Sequence, residues 1–215
     1  MFKGLFAFAL LSLAMPAAAQ QAAGVPPAPE ASPDAEAPPE HGLVHVRLET
    51  SDGAIVLALE KDRAPITTAN FLRYVDEKRL VGKTFYRVVN VAPGYGLVQG
   101  GVRGDPAKVL PPIEHEPTTV TGLSHVNGAI SMARNEPGTA DGDFFIMVGD
   151  IPSMDADPKQ PGDNLGFAVF GHVTEGMDVV KRILGAPVSP TEGEGVMRGQ
   201  MLAEPVKIIS TTRLD

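Results

Sequence analysis

The chain has 215 residues, of which 43% are hydrophobic and 20% are charged, and its formal net charge is -8. This length predicts one domain with extensions, and the acidic balance argues against a nucleic-acid partner, because such a surface needs a basic field to hold phosphates. The sequence contains no cysteine, which excludes disulfides, thiolate metal sites and thiol nucleophiles.

The first segment, residues 1–19, has the pattern of a secretory signal peptide. Lys3 supplies the positive charge, Leu5 to Met15 is apolar, and Ala17 to Ala19 offers a small-residue cleavage site. The apolar run is well short of the ~20 residues that span a bilayer, although a retained anchor is the alternative. We expect export to the periplasm and no membrane span after signal cleavage.

Residues 20–42 form a second segment with a different composition. It holds six prolines, many alanines and four acidic residues, without lysine or arginine. Such a segment cannot bury enough apolar surface to offset chain entropy. We therefore predict a disordered acidic linker, followed by one folded domain over residues 43–215.

Apolar patterning predicts many strands and two separated helices in this domain. The helices begin at Pro65 and at Asp178, and the apolar spacing of Ile66, Ala69, Leu72 and Val75 predicts the buried face of the first. This content favours a β-barrel with helical caps. The predicted strands cover 44–48, 55–59, 84–89, 97–99, 128–133, 144–148, 168–173 and 206–213.

The stretch from Phe85 to Gly101 places an arginine on an apolar strand. It is predicted as a strand through Val89, a loop over 90–96, and a short strand over 97–99. Because such a strand buries one face, Arg87 needs either a carboxylate partner at the surface or a ligand. Both interpretations remain open on this stretch alone.

Three other chemistries fit the sequence less well. Asp141, Asp143, Asp155 and Asp157 are spaced like metal ligands, but no complete calcium loop is present, and local turns explain them. Hydrolysis by Ser124–His125 or Ser131 lacks both the G-x-S-x-G and the H-E-x-x-H pattern. The glycines between 94 and 104 are not followed by the Lys-Ser/Thr of a phosphate loop.

A fourth pattern combines the Arg87 stretch with residues 131–135 and 143–146. An arginine, a glutamine, a strand edge and apolar side chains would together bind an extended peptide beside a small apolar pocket. This set contains no strong nucleophile and no base suited to neutral pH. Rotation about an X–Pro bond needs neither.

These residues resemble those of the cyclophilins, the peptidyl-prolyl cis/trans isomerases. The resemblance covers nearly all of 43–215 and implies a mainly β fold, a closed eight-stranded antiparallel barrel capped by two α-helices. It also implies an isomerase without cofactor or metal that acts on proline-containing polypeptides, and we expect a monomer. The matching segments, in chain order, are Ala64-Pro65…Asn70-Phe71, Phe85-Tyr86-Arg87-Val88-Val89, Leu97-Val98-Gln99-Gly100-Gly101, Ile130-Ser131-Met132-Ala133, Asp143-Phe144-Phe145-Ile146, Phe170-Gly171-His172-Val173 and Gly176-Met177-Asp178-Val179-Val180.

The resemblance assigns roles by position. Arg87 falls on the catalytic arginine, and Gln99 on the glutamine that positions the substrate and that arginine. The other residues expected to bind substrate are Leu97, Tyr95, Ala133, Arg134, Asp143, Phe145, Met154 and Phe167.

Several positions depart from the family pattern. Gly96 stands where a pocket phenylalanine is usual, and Tyr95 is expected to substitute for it. Asp143 replaces a glutamine and is expected to pair with Arg87 or Arg134, or to act as a shorter acceptor. Phe167 replaces a histidine or tyrosine. These changes keep open an alternative, a proline-peptide-binding module or chaperone with weak or no catalysis.

Overall fold

A closed barrel of eight antiparallel strands forms the body of the protein, seen in a computed structural model that describes residues 42–214. The predicted signal peptide and nearly all of the predicted linker lie outside the described residues. The strands are β1 (Leu43–Thr50), β2 (Gly53–Glu60), β3 (Thr84–Ala92), β4 (Tyr95–Gly101), β5 (Ala129–Met132), β6 (Asp143–Val148), β7 (Val169–Glu175) and β8 (Met201–Arg213). The helices are α1 (Pro65–Asp76), α2 (Thr118–Thr121) and α3 (Met177–Leu184).

The strands pair around the barrel in the order β1-β2-β7-β5-β6-β4-β3-β8, and β8 returns to β1. The predicted barrel is confirmed. Helix α1 packs on β2, β7 and β8, whereas α3 packs on β2, β3, β4 and β6. The one-turn helix α2 is an addition to the predicted pair. No helix between residues 42 and 214 has the length and apolar character needed to cross a membrane.

Aromatic side chains fill the barrel interior. Phe71 of α1 lies 5.3 Å from Phe144 and 5.2 Å from Phe170, and Phe85 lies 5.7 Å from Phe144, measured between ring centroids. The two contacts with Phe144 are edge to face and the Phe71–Phe170 contact is tilted. Aromatic pairs at these distances stabilise a core beyond the burial of apolar area. Phe71 therefore fixes α1 to β6 and β7.

The buried face of α1 differs from the predicted one. Ile66 is 39% exposed and Ala69 is also exposed, whereas Thr67 and Asn70 are buried. Loops distant in sequence supply hydrogen-bond partners, since the Thr67 hydroxyl donates to Glu116 and the Asn70 side-chain amide donates to the Asp141 carbonyl. Apolar spacing alone could not anticipate those partners.

The predicted loop over 90–96 is largely a hairpin. Strand β3 continues to Ala92 and β4 begins at Tyr95, so Pro93 and Gly94 form the turn. The Tyr95 ring lies against Gly149, where an added Cβ would sit 2.2 Å from a ring carbon. The Tyr95 hydroxyl also donates to the Asp150 carbonyl. These contacts fix the hairpin to the segment that follows β6.

Candidate active site

Strand register places four side chains in one row across the barrel. Arg87 of β3 is opposite Gln99 of β4, Gln99 is opposite Phe145 of β6, and Phe145 is opposite Ser131 of β5. Directly opposed residues on adjacent strands project from the same face of a sheet. Phe144, the neighbour of Phe145, projects into the barrel core. The row therefore lies on the outer face.

Arg87 is held by two glutamine side chains. Its Nη1 donates to Gln99 Oε1 at 2.8 Å, while its Nε and Nη2 donate to Gln200 Oε1 at 2.9 and 2.6 Å. Partial burial lowers the pKa of the Arg87 guanidinium, which remains charged near neutral pH. Gln200 was not among the predicted site residues, since it lies 113 positions away in a segment without a recognisable motif.

A β-bulge brings Tyr86 into the same site. The ladder between β3 and β4 pairs Phe85 with Gly100 and Arg87 with Gln99, so Tyr86 is the extra residue. A bulge lets two residues of one strand face one residue of its partner. Gln99 contacts both of them, since its Nε2 donates to the Tyr86 hydroxyl at 2.8 Å. Nothing in the sequence signals this bulge.

Asp143 forms no ion pair with Arg87 or Arg134, the two partners expected from the sequence. Its Oδ2 accepts from the Tyr86 hydroxyl at 2.9 Å, and its Oδ1 accepts from the Arg103 backbone N–H at 2.7 Å. Asp143 therefore acts as a hydrogen-bond acceptor with a shorter side chain than the glutamine it replaces, which was the third expectation from the sequence. Burial raises the pKa of Asp143, and burial beside this carboxylate raises the pKa of Tyr86.

Glycine at position 101 permits the close approach of Asp143. Gly101 has φ +136°, and a Cβ added there would lie 2.4 Å from Asp143 Oδ1. No other residue type fits this geometry without displacing the carboxylate. The paired glycines after Gln99 therefore serve the packing of the site and do not form a phosphate loop.

An apolar pocket adjoins the arginine. Phe145 and Phe167 meet edge to face at 5.5 Å, and Leu97, Ile151 and Met154 pack around them. The pocket belongs to a cavity of about 610 Å³ that Arg87 and Gln99 also line. Ala133, Arg134 and Asp143 line it too, so nine of the ten predicted site residues border one cavity.

Tyr95 is the exception and corrects the prediction. It is absent from the cavity wall, because its ring is engaged with Gly149 and its hydroxyl with Asp150. The apolar wall expected of Tyr95 is provided instead by Ile151, together with Val89 and Val91 of the hairpin. The contacts of Tyr95 hold that hairpin against the segment that follows β6.

The Arg134 side chain is held by the loop before β7. Its guanidinium donates to the Gly166 carbonyl and to Asp163, and lies 5.1 Å from the centre of the Phe167 ring. The Ala133 amide donates to the Asp143 carbonyl at 2.9 Å. A peptide pairing with this edge would therefore use the Ala133 carbonyl or the Arg134 backbone.

A buried network lies behind the pocket. His125 Nδ1 is 2.5 Å from Asp155 Oδ1, and His125 Nε2 is 3.0 Å from Ser131 Oγ. The carboxylate only accepts, so Nδ1 carries the proton and Nε2 accepts from the serine when the ring is neutral. Burial lowers the pKa of His125, opposed by Asp155.

This Ser–His–Asp order does not make a hydrolase. Ser131 and His125 are both fully buried, so no substrate carbonyl can reach the serine. The His125 ring instead stacks on Phe145 at 5.9 Å. The network supports the pocket wall.

The acidic residues considered as metal ligands have hydrogen-bond partners within the protein. Asp155 binds His125, Asp143 binds Tyr86, and Asp157 accepts from the Lys159 amide. Within residues 42–214, no three His, Asp or Glu side chains are grouped as a metal site requires. Local and structural hydrogen bonds therefore account for these carboxylates.

A β-barrel bearing an arginine beside an apolar pocket on its outer face defines the class of protein. Residues 45–213 match the family described as cyclophilin type peptidyl-prolyl cis-trans isomerase, and the chain belongs to this family.

Bacterial relatives are similar over most of their length. The chain is 39% identical to peptidyl-prolyl cis-trans isomerase cyp18 of Streptomyces antibioticus, over 69% of this chain and 87% of that protein. It is 34% identical to peptidyl-prolyl cis-trans isomerase B of Escherichia coli K12, over 78% of this chain and 98% of that protein.

A solved structure shares the fold at lower identity. The crystal structure of a Cryptosporidium parvum cyclophilin type isomerase in the presence of the dipeptide Ala-Pro has a TM-score of 0.63 and 18% identity. It covers 80% of this chain and 99% of that chain.

Proposed function

We propose that this protein is a peptidyl-prolyl cis/trans isomerase that accelerates rotation about X–Pro bonds. The observation that carries the proposal is Arg87, held by two amides at the edge of an apolar pocket that Phe145 and Leu97 line. The family's bacterial members carry this activity in their names. A structure of one member was determined with a proline dipeptide, which suits such a pocket.

The reaction needs a lowered rotational barrier and no covalent step. Partial double-bond character sets the X–Pro barrier near ~18–20 kcal/mol, and uncatalysed isomerisation takes tens to hundreds of seconds. Removing about 4–7 kcal/mol would accelerate it by roughly 10³ to 10⁵. The apolar pocket would hold the proline ring while the preceding carbonyl swings.

Arg87 supplies the group that distinguishes the twisted state from the planar one. In the planar amide the nitrogen lone pair is delocalised and accepts poorly. In the twisted state the nitrogen pyramidalises, and a guanidinium N–H can donate to it. This interaction strengthens only at the transition state, so it lowers the barrier by differential binding.

A binding module without catalysis is the second candidate, favoured by Asp143 and Phe167 at altered positions. Two measurements on one sample distinguish the isomerase from the binding module. Exchange between cis and trans forms of an Ala-Pro peptide, followed by NMR, reports catalysis, and shifts of the Phe145 resonances report binding. Binding with no enhancement of exchange would favour the module.

Export to the periplasm and assistance to the folding of exported proteins complete the proposal. The support is the sequence of residues 1–19, with Lys3, an apolar run and a small-residue cleavage pattern. We also propose that the domain acts as a monomer. Expression of the full chain, followed by fractionation, N-terminal sequencing and light scattering, tests these points; an uncleaved cytoplasmic product would contradict export.

A further inference from the structure

We propose that Gln200 is a positioning residue for Arg87, whose neutral amide fixes the guanidinium without cancelling its charge. This inference rests on the proposed isomerase function. It adds a residue from the segment before β8, outside every stretch that the sequence pattern singled out.

The hydrogen-bond geometry leaves defined donors for a substrate. A guanidinium has five N–H groups. Gln200 Oε1 takes one from Nε and one from Nη2, and Gln99 Oε1 takes one from Nη1. Two N–H groups remain, one on each terminal nitrogen. The two glutamines therefore determine which edge of the guanidinium a peptide meets.

The backbone of Gln200 is fixed to the strand that carries Arg87. Its carbonyl accepts from the Val88 amide at 2.8 Å, and its own amide donates to the Met197 carbonyl at 3.0 Å. Met197 itself lines the cavity. The segment before β8 is thus part of the site, and the Gln200 side chain approaches Arg87 from a rigid support.

The charge of the holding group matters as much as its position. Among residues 42–214, no carboxylate lies within ion-pair distance of Arg87. Asp143, the acidic residue nearest in the network, is engaged with Tyr86 and with the Arg103 amide. An amide at position 200 orients the guanidinium and leaves its positive charge for the prolyl nitrogen.

Three variants of the full chain test this inference. Q200A removes the acceptor, and Q200E keeps an acceptor but adds a negative charge. Q160A changes an exposed glutamine that does not line the cavity and serves as the matched control. We expect Q200A to lower kcat about tenfold with KM little changed, since Arg87 loses the acceptor of two of its N–H groups. Q160A should match the wild type.

The pH profile separates positioning from a merely structural role. We expect Q200E to be impaired at neutral pH and to recover toward the wild type as pH falls through the range where a carboxylate titrates. The Arg87 Nε–H resonance should shift in Q200A and stay unchanged in Q160A. If Q200A does not fold, the pH dependence of Q200E activity still tests whether Gln200 positions Arg87.

The inference is overturned if folded Q200A retains wild-type kcat, or if Q200E shows the wild-type pH profile. Failure of the proposed function gives a different result. In that case the wild type itself leaves cis/trans exchange of the test peptide at the uncatalysed rate.

Discussion

The Tyr86 hydroxyl donates a 2.9 Å hydrogen bond to Asp143 Oδ2. Because its proton is directed to the carboxylate, the phenolic oxygen accepts from Gln99 Nε2 at 2.8 Å. That bond fixes the orientation of the Gln99 amide, whose Oε1 then faces Arg87 Nη1. One bulge residue thereby determines that Arg87 meets an acceptor and not an amide N–H.

Replacing Tyr86 by phenylalanine tests this relay. Without the hydroxyl, the Gln99 amide loses its fixed orientation, and we expect kcat/KM to fall about fivefold, the effect of one net hydrogen bond. The fold should persist because the ring remains buried. Tyr95→Phe is the matched control, since it loses a hydroxyl contact outside the cavity; equal losses in both variants would refute the relay.

Phe144 and Phe145 are neighbours that face opposite sides of β6. Phe144→Ala should lower the free energy of unfolding by about 3–5 kcal/mol, because it empties the barrel core beside Phe71 and Phe85. Phe145 is also buried and its loss should lower stability too, but Phe145→Ala alone should weaken peptide binding through the cavity it lines. Denaturant unfolding and an isomerase assay on both variants check these expectations. If both variants weakened peptide binding equally, the assignment of Phe144 to the core and Phe145 to the cavity would be contradicted.

Stability should depend on pH through His125. Burial lowers the pKa of His125 in the folded state, so the unfolded chain binds more protons between that pKa and the unfolded value of about 6.5. The free energy of unfolding should therefore be fully retained above about pH 6.5 and decrease as the pH falls toward the folded pKa. In His125→Gln this slope should flatten, and an unchanged slope would exclude His125 as its source.

Glu116 is predicted to stabilise the start of α1. The helix has no side-chain cap of its own, and Glu116 instead accepts from the Ile66 and Thr67 amides at 3.1 and 2.7 Å. Glu116→Ala should cost about 1–2 kcal/mol of stability, the range for a lost N-terminal cap. Glu114→Ala is the neighbouring control. Equal unfolding temperatures for the two variants would refute the role of Glu116 as a cap.

The fold was largely predictable because β periodicity and the ordered motifs are local signals. The starts of β1 to β7, the Pro65 helix start and the α3 region were close to the observed elements, whereas β8 begins at Met201, five residues before the predicted start. The buried face of α1 was not, since Thr67 is satisfied by Glu116 from 49 positions away. The extended hairpin was missed because glycines and Pro93 resemble a loop.

The site was predictable as a list of residues but not as a network. Arg87 and Gln99 are opposed in the β3–β4 register, which a strand pattern can indicate. Gln200 and the Tyr86–Asp143 contact depend on a bulge and on a segment before β8 that only the closed barrel brings near. Tyr95 was misplaced because the hairpin turns its ring toward Gly149.

The most direct test of the account compares cis/trans exchange of an X–Pro peptide by the wild type, Arg87→Lys and Arg87→Ala. Lysine retains a charge but lacks the planar fork that two glutamines hold. We expect rapid exchange with the wild type and loss of most activity in both variants, with folding intact by circular dichroism. Comparable turnover by folded Arg87→Ala would contradict the proposed role of Arg87.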